Sequence, residues 1–83
     1  MADLPKTKAY ILCRFGSDAD EKVPVFLRDR PEVTSTWMVF GEWDMVIEAE
    51  LTSEANLAEF ILDLRKHANV NLTTTLIGAK PIK

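Results

Sequence analysis

The stretch Phe40-Gly41-Glu42-Trp43-Asp44 carries the residue types best suited to bind a small polar molecule. Gly41 leaves main-chain groups open to a ligand, Asp44 supplies a carboxylate for an ammonium group or a backbone N–H, and Trp43 adds a flat apolar wall. These groups together suit a small zwitterion. They are also typical of an ordinary β-hairpin, because a glycine beside polar residues is the commonest hairpin signal. Residue types alone favour the plain turn over a binding site.

Two hydroxyls near the C-terminus are the second candidate for ligand contact. Thr73 and Thr75 alternate within a run of strand-forming residues, so their side chains are expected on one face. There they can bond to a ligand or simply form a polar strand surface. The residues alone leave these two interpretations equal.

Residues of catalytic or metal-binding type are not arranged as a site. His67 is the single histidine, and it stands near the end of a predicted helix, where a cation is favourable. Cys13 lies in an apolar run and is predicted to be a buried small hydrophobe. Glu48 and Glu50 are expected to lie opposite Lys or Arg at the rim of a contact between two sheets rather than to act as an acid/base couple. The sequence therefore predicts no catalytic residue, no metal site and no cofactor.

Length and composition limit the class of protein. The 83 residues are predicted to form one domain, residues 1–83, and so short a chain buries only about 60 to 65% of its unfolded surface, which favours self-association. The net charge is -3, and the sequence lacks the basic stripe of a nucleic-acid binder, so direct contact with nucleic acid is not expected. The chain also lacks an apolar run long enough to span a membrane. Its single cysteine and acidic start predict a cytoplasmic protein.

The elements that must position the candidate residues follow from apolar spacing. The most clearly predicted element is the second of two helices, because Leu57, Phe60, Ile61 and Leu64 fall at i, i+3, i+4 and i+7. Thr52 or Ser53 is expected to cap the start of this helix. The predicted order is a strand at 8–15, a helix at 20–30, strands at 33–40 and 43–51, this second helix, and a strand at 70–77. That order predicts an α+β ferredoxin-like fold, β-α-β-β-α-β, with a four-stranded antiparallel sheet and both helices on one face.

Apolar residues are expected on both faces of this sheet. The third strand alternates, and its residues Met45, Ile47, Ala49 and Leu51 are assigned to the helices. The first two strands instead place apolar side chains on both faces, with Tyr10 and Leu12 of the first strand on the uncovered one. A face-to-face dimer would shield that patch, and the alternative is a monomer with an apolar surface.

The element order, together with the motifs at 31–33, 39–44 and 70–77, resembles the effector-binding or RAM domain of the Lrp/AsnC (leucine-responsive regulatory protein) family. The likeness runs from about Ala9 to Ile77. Its most specific part is a Gly-x-aromatic-Asp turn, matched by Gly41, Trp43 and Asp44, followed by Thr-x-Thr in the last strand, matched at 73 and 75. The resemblance implies a dimeric α/β barrel, rings built from dimers, and amino acids or similar ligands held between neighbouring dimers near the turn.

Two departures from the family pattern change the expectation. Residues 1–7 are too few for the helix-turn-helix of full-length members, so a stand-alone effector domain is expected. Trp43 replaces the smaller aromatic residue that the family usually has, which predicts a reshaped pocket.

The expected function is therefore a non-catalytic, oligomeric module that binds an amino acid or related metabolite and co-assembles with a full-length homologue. Its ligand-binding residues are expected to be Gly41, Glu42, Trp43, Asp44, Thr73 and Thr75. Two alternatives stay open at this point. One is a small cofactor-free enzyme of the dimeric α/β-barrel type, for which only Arg14, Glu48 and Glu50 are candidate groups. The other is a structural assembly module without a ligand.

Overall fold

Four strands and two helical segments make up the part of the chain that the computed structural model describes, residues 7–15, 25–68, 70–79 and 82–83. The strands are β1 (Thr7–Phe15), β2 (Val33–Met38), β3 (Met45–Leu51) and β4 (Val70–Ile77). Residues 25–28 are helical and are called α1, and α2 is Glu54–His67. The predicted β-α-β-β-α-β order and α+β ferredoxin-like fold are confirmed.

The four strands form one antiparallel sheet in the order β2-β3-β1-β4. β1 pairs with β3 from Thr7 opposite Leu51 to Cys13 opposite Met45. On its other side β1 pairs with β4, with Cys13 opposite Thr73. β1 and β3 are therefore the central strands, and the end of β1 near Cys13 lies beside the start of β3.

The helices cover one face of the sheet. The buried core between them comes from alternate positions of β1 and β3, from both helices, and from Ala68 and Val70. Its largest fully buried side chains are Phe60, Ile11, Met45, Ile47, Leu51 and Leu64. The predicted alternation of β3 is confirmed, since its odd-numbered residues are buried and its even-numbered residues are half-buried. Phe26 of α1 packs against Phe60 of α2 with ring centroids 5.9 Å apart, and burying one such side chain contributes about 1.5–3 kcal/mol.

The start of α2 shows why this helix begins where it does. The Ser53 side chain accepts a hydrogen bond from the Asn56 backbone N–H at 3.0 Å, and Asn56 Oδ1 accepts one from the Thr52 N–H at 3.3 Å. The first bond satisfies a backbone donor that the first turn leaves without a helical partner, and the second ties the residue before the cap to the helix. Of the two predicted caps, Ser53 is the one used. His67 lies in the last turn, as predicted.

The bounds of α1 differ from the prediction. The helix ends at residue 28 rather than Arg30, because the Arg30 N–H bonds to Leu27 O at 3.2 Å and Pro31 disfavours helical backbone before it. The predicted residues 20–24 lie outside the described ranges. The Arg30 guanidinium packs over the Phe26 ring at 4.3 Å and pairs with Asp63 at 3.1 Å, so it ties α1 to α2.

The opposite, uncovered face of the sheet is here called the outer face. It carries Lys8, Tyr10, Leu12 and Arg14 of β1, opposite Leu72, Thr74 and Leu76 of β4 and the even-numbered residues of β3. Trp37 is 66% exposed, Leu72 47% and Leu76 51%. The predicted apolar patch on this face is thus present. Within the described ranges, neither helix has the length and apolar character that crossing a membrane requires.

Candidate functional site

The connection between β2 and β3 is a six-residue turn, residues 39–44, rather than the nearly spacer-free hairpin that the sequence predicts. The strands end earlier because a hydrogen bond from the Val39 N–H to Asp44 O, 3.0 Å long, closes the turn. Gly41 has φ +128°, in a region that other residues rarely adopt. A Cβ at Gly41 would meet nothing within 4 Å, so the requirement for glycine is conformational rather than steric.

Two residues of β1 hold this turn against the sheet. The Asp44 N–H donates to Cys13 O at 2.9 Å. Arg14 Nε–H donates to Glu42 O, and the Arg14 guanidinium carbon lies 5.6 Å from the centroid of the Trp43 ring. Glu42 is exposed, whereas Trp43 and Asp44 are half-buried. The turn therefore presents main-chain groups, an indole face, a carboxylate and a guanidinium within one small region.

Sequence reasoning named Arg14 only as a candidate group of the enzyme alternative and did not place it at the turn. A charged residue near the end of the apolar run 8–15 is the only signal for it. Its contacts, Glu42 and Trp43, lie 28 and 29 residues further along the chain, and they depend on the pairing of β1 with β3. Only the strand register shows that Arg14 belongs to the turn.

Thr73 and Thr75 lie on the other side of β1. They stand opposite Cys13 and Ile11, so they belong to the face that the helices cover, and both are half-buried. Thr73 Oγ1 accepts a hydrogen bond from Arg65 Nη2 of α2 at 3.0 Å. Because β1 separates β4 from β3, the threonines and the turn stand about 10 Å apart across the sheet. The six predicted residues thus form two groups, one on each side of β1.

The titratable groups near the sheet have clear environments. Glu48 accepts bonds from Thr34 Oγ1 at 3.0 Å and Ser35 Oγ at 3.1 Å, and its second oxygen lies 3.6 Å from Lys8 Nζ. The pKa of Glu48 is held below its ordinary value, chiefly by the hydrogen bond from Thr34 and then by the one from Ser35. The positive charge of Lys8 adds to this effect. Lys8 is thus the cation beside Glu48 within the chain. The place of Glu48 and Glu50 at the rim of a sheet-to-sheet contact stays a prediction.

Cys13 is buried beneath the helices, as predicted. Burial raises the pKa of its thiol to about 12, so the group stays protonated and unreactive at neutral pH. No cluster of three metal-ligating side chains occurs among the residues that the structure describes.

A cleft of about 340 Å³ lies at the opposite end of the sheet, where α2 begins. Its walls are Thr7, Leu51, Ser53, Glu54, Leu57 and Ile77. Cys13 is the sixth residue after Thr7 in β1, so the cleft stands about 20 Å from the turn. None of the six predicted site residues lines it. Sequence reasoning offers no sign of this cleft, because it forms where the ends of three strands meet a helix.

A sequence model of one family matches residues 8–83, and it describes the Lrp/AsnC ligand binding domain. The chain belongs to this family. Among curated proteins, none matches the chain.

Solved structures agree with this assignment. The Lrp/AsnC domain is similar to a Neisseria meningitidis transcriptional regulator solved with L-Met, with 31% identity over 98% of this chain and 54% of that one and a TM-score of 0.83. It is also similar to FFRP-DM1, with 29% identity over 87% and 97% of the two chains and a TM-score of 0.76. A Pyrococcus horikoshii protein, PHS023, shows 27% identity over 92% and 93% and a TM-score of 0.73. The chain thus spans about half of the Neisseria regulator and nearly all of the other two proteins.

Proposed function

We propose that this Lrp/AsnC domain binds an amino acid or related small metabolite at the turn of residues 39–44. The observation that carries the proposal is the turn itself, because β1 holds it in place while Gly41 and Glu42 stay exposed. Exposed main-chain donors and acceptors suit the two ends of a zwitterion, and the Asp44 carboxylate suits its ammonium group. The L-Met complex of the Neisseria regulator supports an amino acid as the ligand class.

The binding site is completed by a second subunit in this proposal. Within one chain, the turn and the Thr73–Thr75 pair stand about 10 Å apart on opposite sides of β1. In this proposal a ligand that uses both groups receives one of them from a neighbouring chain. Phe40, the second residue of the turn, is fully exposed, and burial against a neighbour would remove it from water.

The outer face supports a sheet-to-sheet dimer. Trp37, Leu72 and Leu76 expose about half or more of their surfaces there, and a facing sheet of a second copy would cover them. Such a pair forms the dimeric α/β barrel that the sequence predicts. Rings of dimers would then bring the turns of neighbouring dimers together.

The proposed role is regulation of transcription in the cytoplasm without direct contact to DNA. The net charge of -3 disfavours contact with phosphates. Co-assembly with a homologue that reads DNA is the proposed route to an effect on DNA binding, and the likeness to the Neisseria transcriptional regulator supports it. Mixed rings would carry fewer DNA-reading domains and bind DNA with lower avidity.

Calorimetric titration with each of the twenty amino acids tests the proposed ligand class. We expect at least one to bind with a dissociation constant between about 1 mM and 1 μM, or roughly -4 to -8 kcal/mol. Asp44→Asn should weaken this binding about 10-fold or more, since it removes a charged partner of the ammonium group. Glu59→Gln, which changes an exposed carboxylate on α2, is the matched control and should bind as the wild type does.

Two results would count against this proposal. Absence of binding by all twenty amino acids would favour a structural assembly module. Binding that is unchanged in Asp44→Asn, with the fold intact by thermal unfolding, would place the ligand away from Asp44.

A further inference from the structure

Arg14 is the cation fixed at the proposed site. Its Nε–H donates to Glu42 O, and its guanidinium carbon lies over the Trp43 ring, 5.6 Å from the ring centroid. Resting on the proposed function of this turn, we propose that Arg14 binds the carboxylate of the ligand, so that the site selects molecules with a free carboxylate.

The two contacts of Arg14 fix its orientation while leaving donors for a ligand. A guanidinium carries five N–H donors, and the Glu42 bond uses the one on Nε. The two terminal Nη groups carry the other four, in the planar fork that matches the two oxygens of a carboxylate. Because the bond and the ring contact hold the side chain in advance, a ligand loses less free energy in ordering it.

The positions of Arg14 and Asp44 fit the two charges of an amino acid. The Asp44 N–H bonds to Cys13 O, and Arg14 is the next residue in β1. Strand spacing and rise place the Cα atoms of Arg14 and Asp44 about 6 Å apart. A ligand between the two side chains meets a cation and an anion at once. An α-amino acid presents the matching pair, whereas an amine or an amide presents only one of the two charges.

A structural role for Arg14 predicts a different result from a role in recognition. If Arg14 only stabilised the turn, its loss would weaken binding of every ligand by the same factor. If Arg14 binds the carboxylate, its loss should affect only ligands that carry that group. The ratio of affinities for an amino acid and for its α-carboxamide separates the two roles, because the carboxamide keeps the ammonium group and side chain.

The experiment is calorimetric titration of the full chain with the twenty amino acids and with the α-carboxamide of each one that binds. We expect the wild type to prefer the acid over the amide by about 10- to 100-fold. Arg14→Gln should remove most of that preference, because it lowers the affinity for the acid while the affinity for the amide changes less than about twofold. Arg14→Lys, which keeps the charge without the fork, should retain part of the preference. Arg28→Gln, the same change at an exposed position on α1, is the matched control and should keep the full preference.

Each contrary outcome has one meaning. Equal binding of acid and amide by the wild type, or an unchanged ratio in Arg14→Gln and Arg14→Lys, overturns the role of Arg14 and leaves the proposed function standing. If Arg14→Gln fails to fold, an unchanged ratio in Arg14→Lys alone overturns it. Absence of binding by every amino acid overturns the proposed function and the role of Arg14 together.

Discussion

Replacement of Gly41 by alanine tests the turn on which the proposed site is built. At φ +128° an alanine is strained, and backbone of this kind costs about 1–3 kcal/mol per residue. A Cβ there meets no atom within 4 Å, so no steric term adds to this cost. The loss of flexibility in the unfolded chain returns about 0.4–1 kcal/mol. The expected net loss of stability is about 0.6–2 kcal/mol, which lowers the Tm of so short a domain by about 4–8 °C for each kcal/mol.

Thermal unfolding followed by circular dichroism measures this loss, and Gly78→Ala is the matched control. The Cβ added at Gly78 would meet its nearest atom, Lys8 O, at 3.4 Å, and the backbone there is not in the positive-φ region. We therefore expect Gly78→Ala to change stability by less than about 0.5 kcal/mol. A Gly41→Ala variant that is as stable as the wild type, or no less stable than Gly78→Ala, would show that the turn does not depend on glycine at 41.

Three further predictions concern assembly, pH and DNA. Leu12→Asp places a charge on the outer face and should give monomers or unfolded chains in light scattering at micromolar concentration. The control Leu62→Asp, at an exposed position on α2, should stay oligomeric. If both variants stay oligomeric, Leu12 does not lie in the contact between subunits. Because the pKa of Glu48 is lowered in the folded chain, its stabilising effect is present above the ordinary Glu value and is lost as the pH falls through the lowered value. Glu48→Gln should therefore lower the Tm at pH 7 but converge with the wild type in acid, and a constant difference in Tm across this range would contradict the assignment. In gel-shift assays the chain alone should form no discrete DNA complex, yet it should alter the complex of a full-length homologue; a salt-resistant complex of the chain alone would refute this.

Regular apolar spacing made most of the fold predictable. In α2 the i, i+3, i+4, i+7 residues form the face that packs on the core, with Phe60 and Leu64 fully buried and Leu57 and Ile61 against them. In β3 the strict alternation assigned every residue to the correct face. Such patterns depend only on the local period of the element, so a single sequence reveals them.

The site was harder to predict because it depends on contacts between distant parts of the chain. The turn residues were found from their types, but the length of the turn was underestimated, since the bond between Val39 and Asp44 closes it early. The position of Thr73 opposite Cys13 follows from the register of β1 and β4, which no local pattern shows. The contact of Arg14 with Glu42 and Trp43 likewise needs the register of β1 and β3. Residue types thus indicated candidates, and strand pairing decided which of them meet.

Native mass spectrometry of the protein freshly purified from its source tests the central claim most directly, because one spectrum gives both the number of subunits and any retained small molecule. Our account predicts an oligomer with an even number of subunits, carrying bound mass that matches an amino acid or related metabolite and is lost on mild activation. The same spectrum of Asp44→Asn should show the oligomer with less bound mass. A monomer, or an oligomer that stays free of ligand even after amino acids are added, would contradict the account.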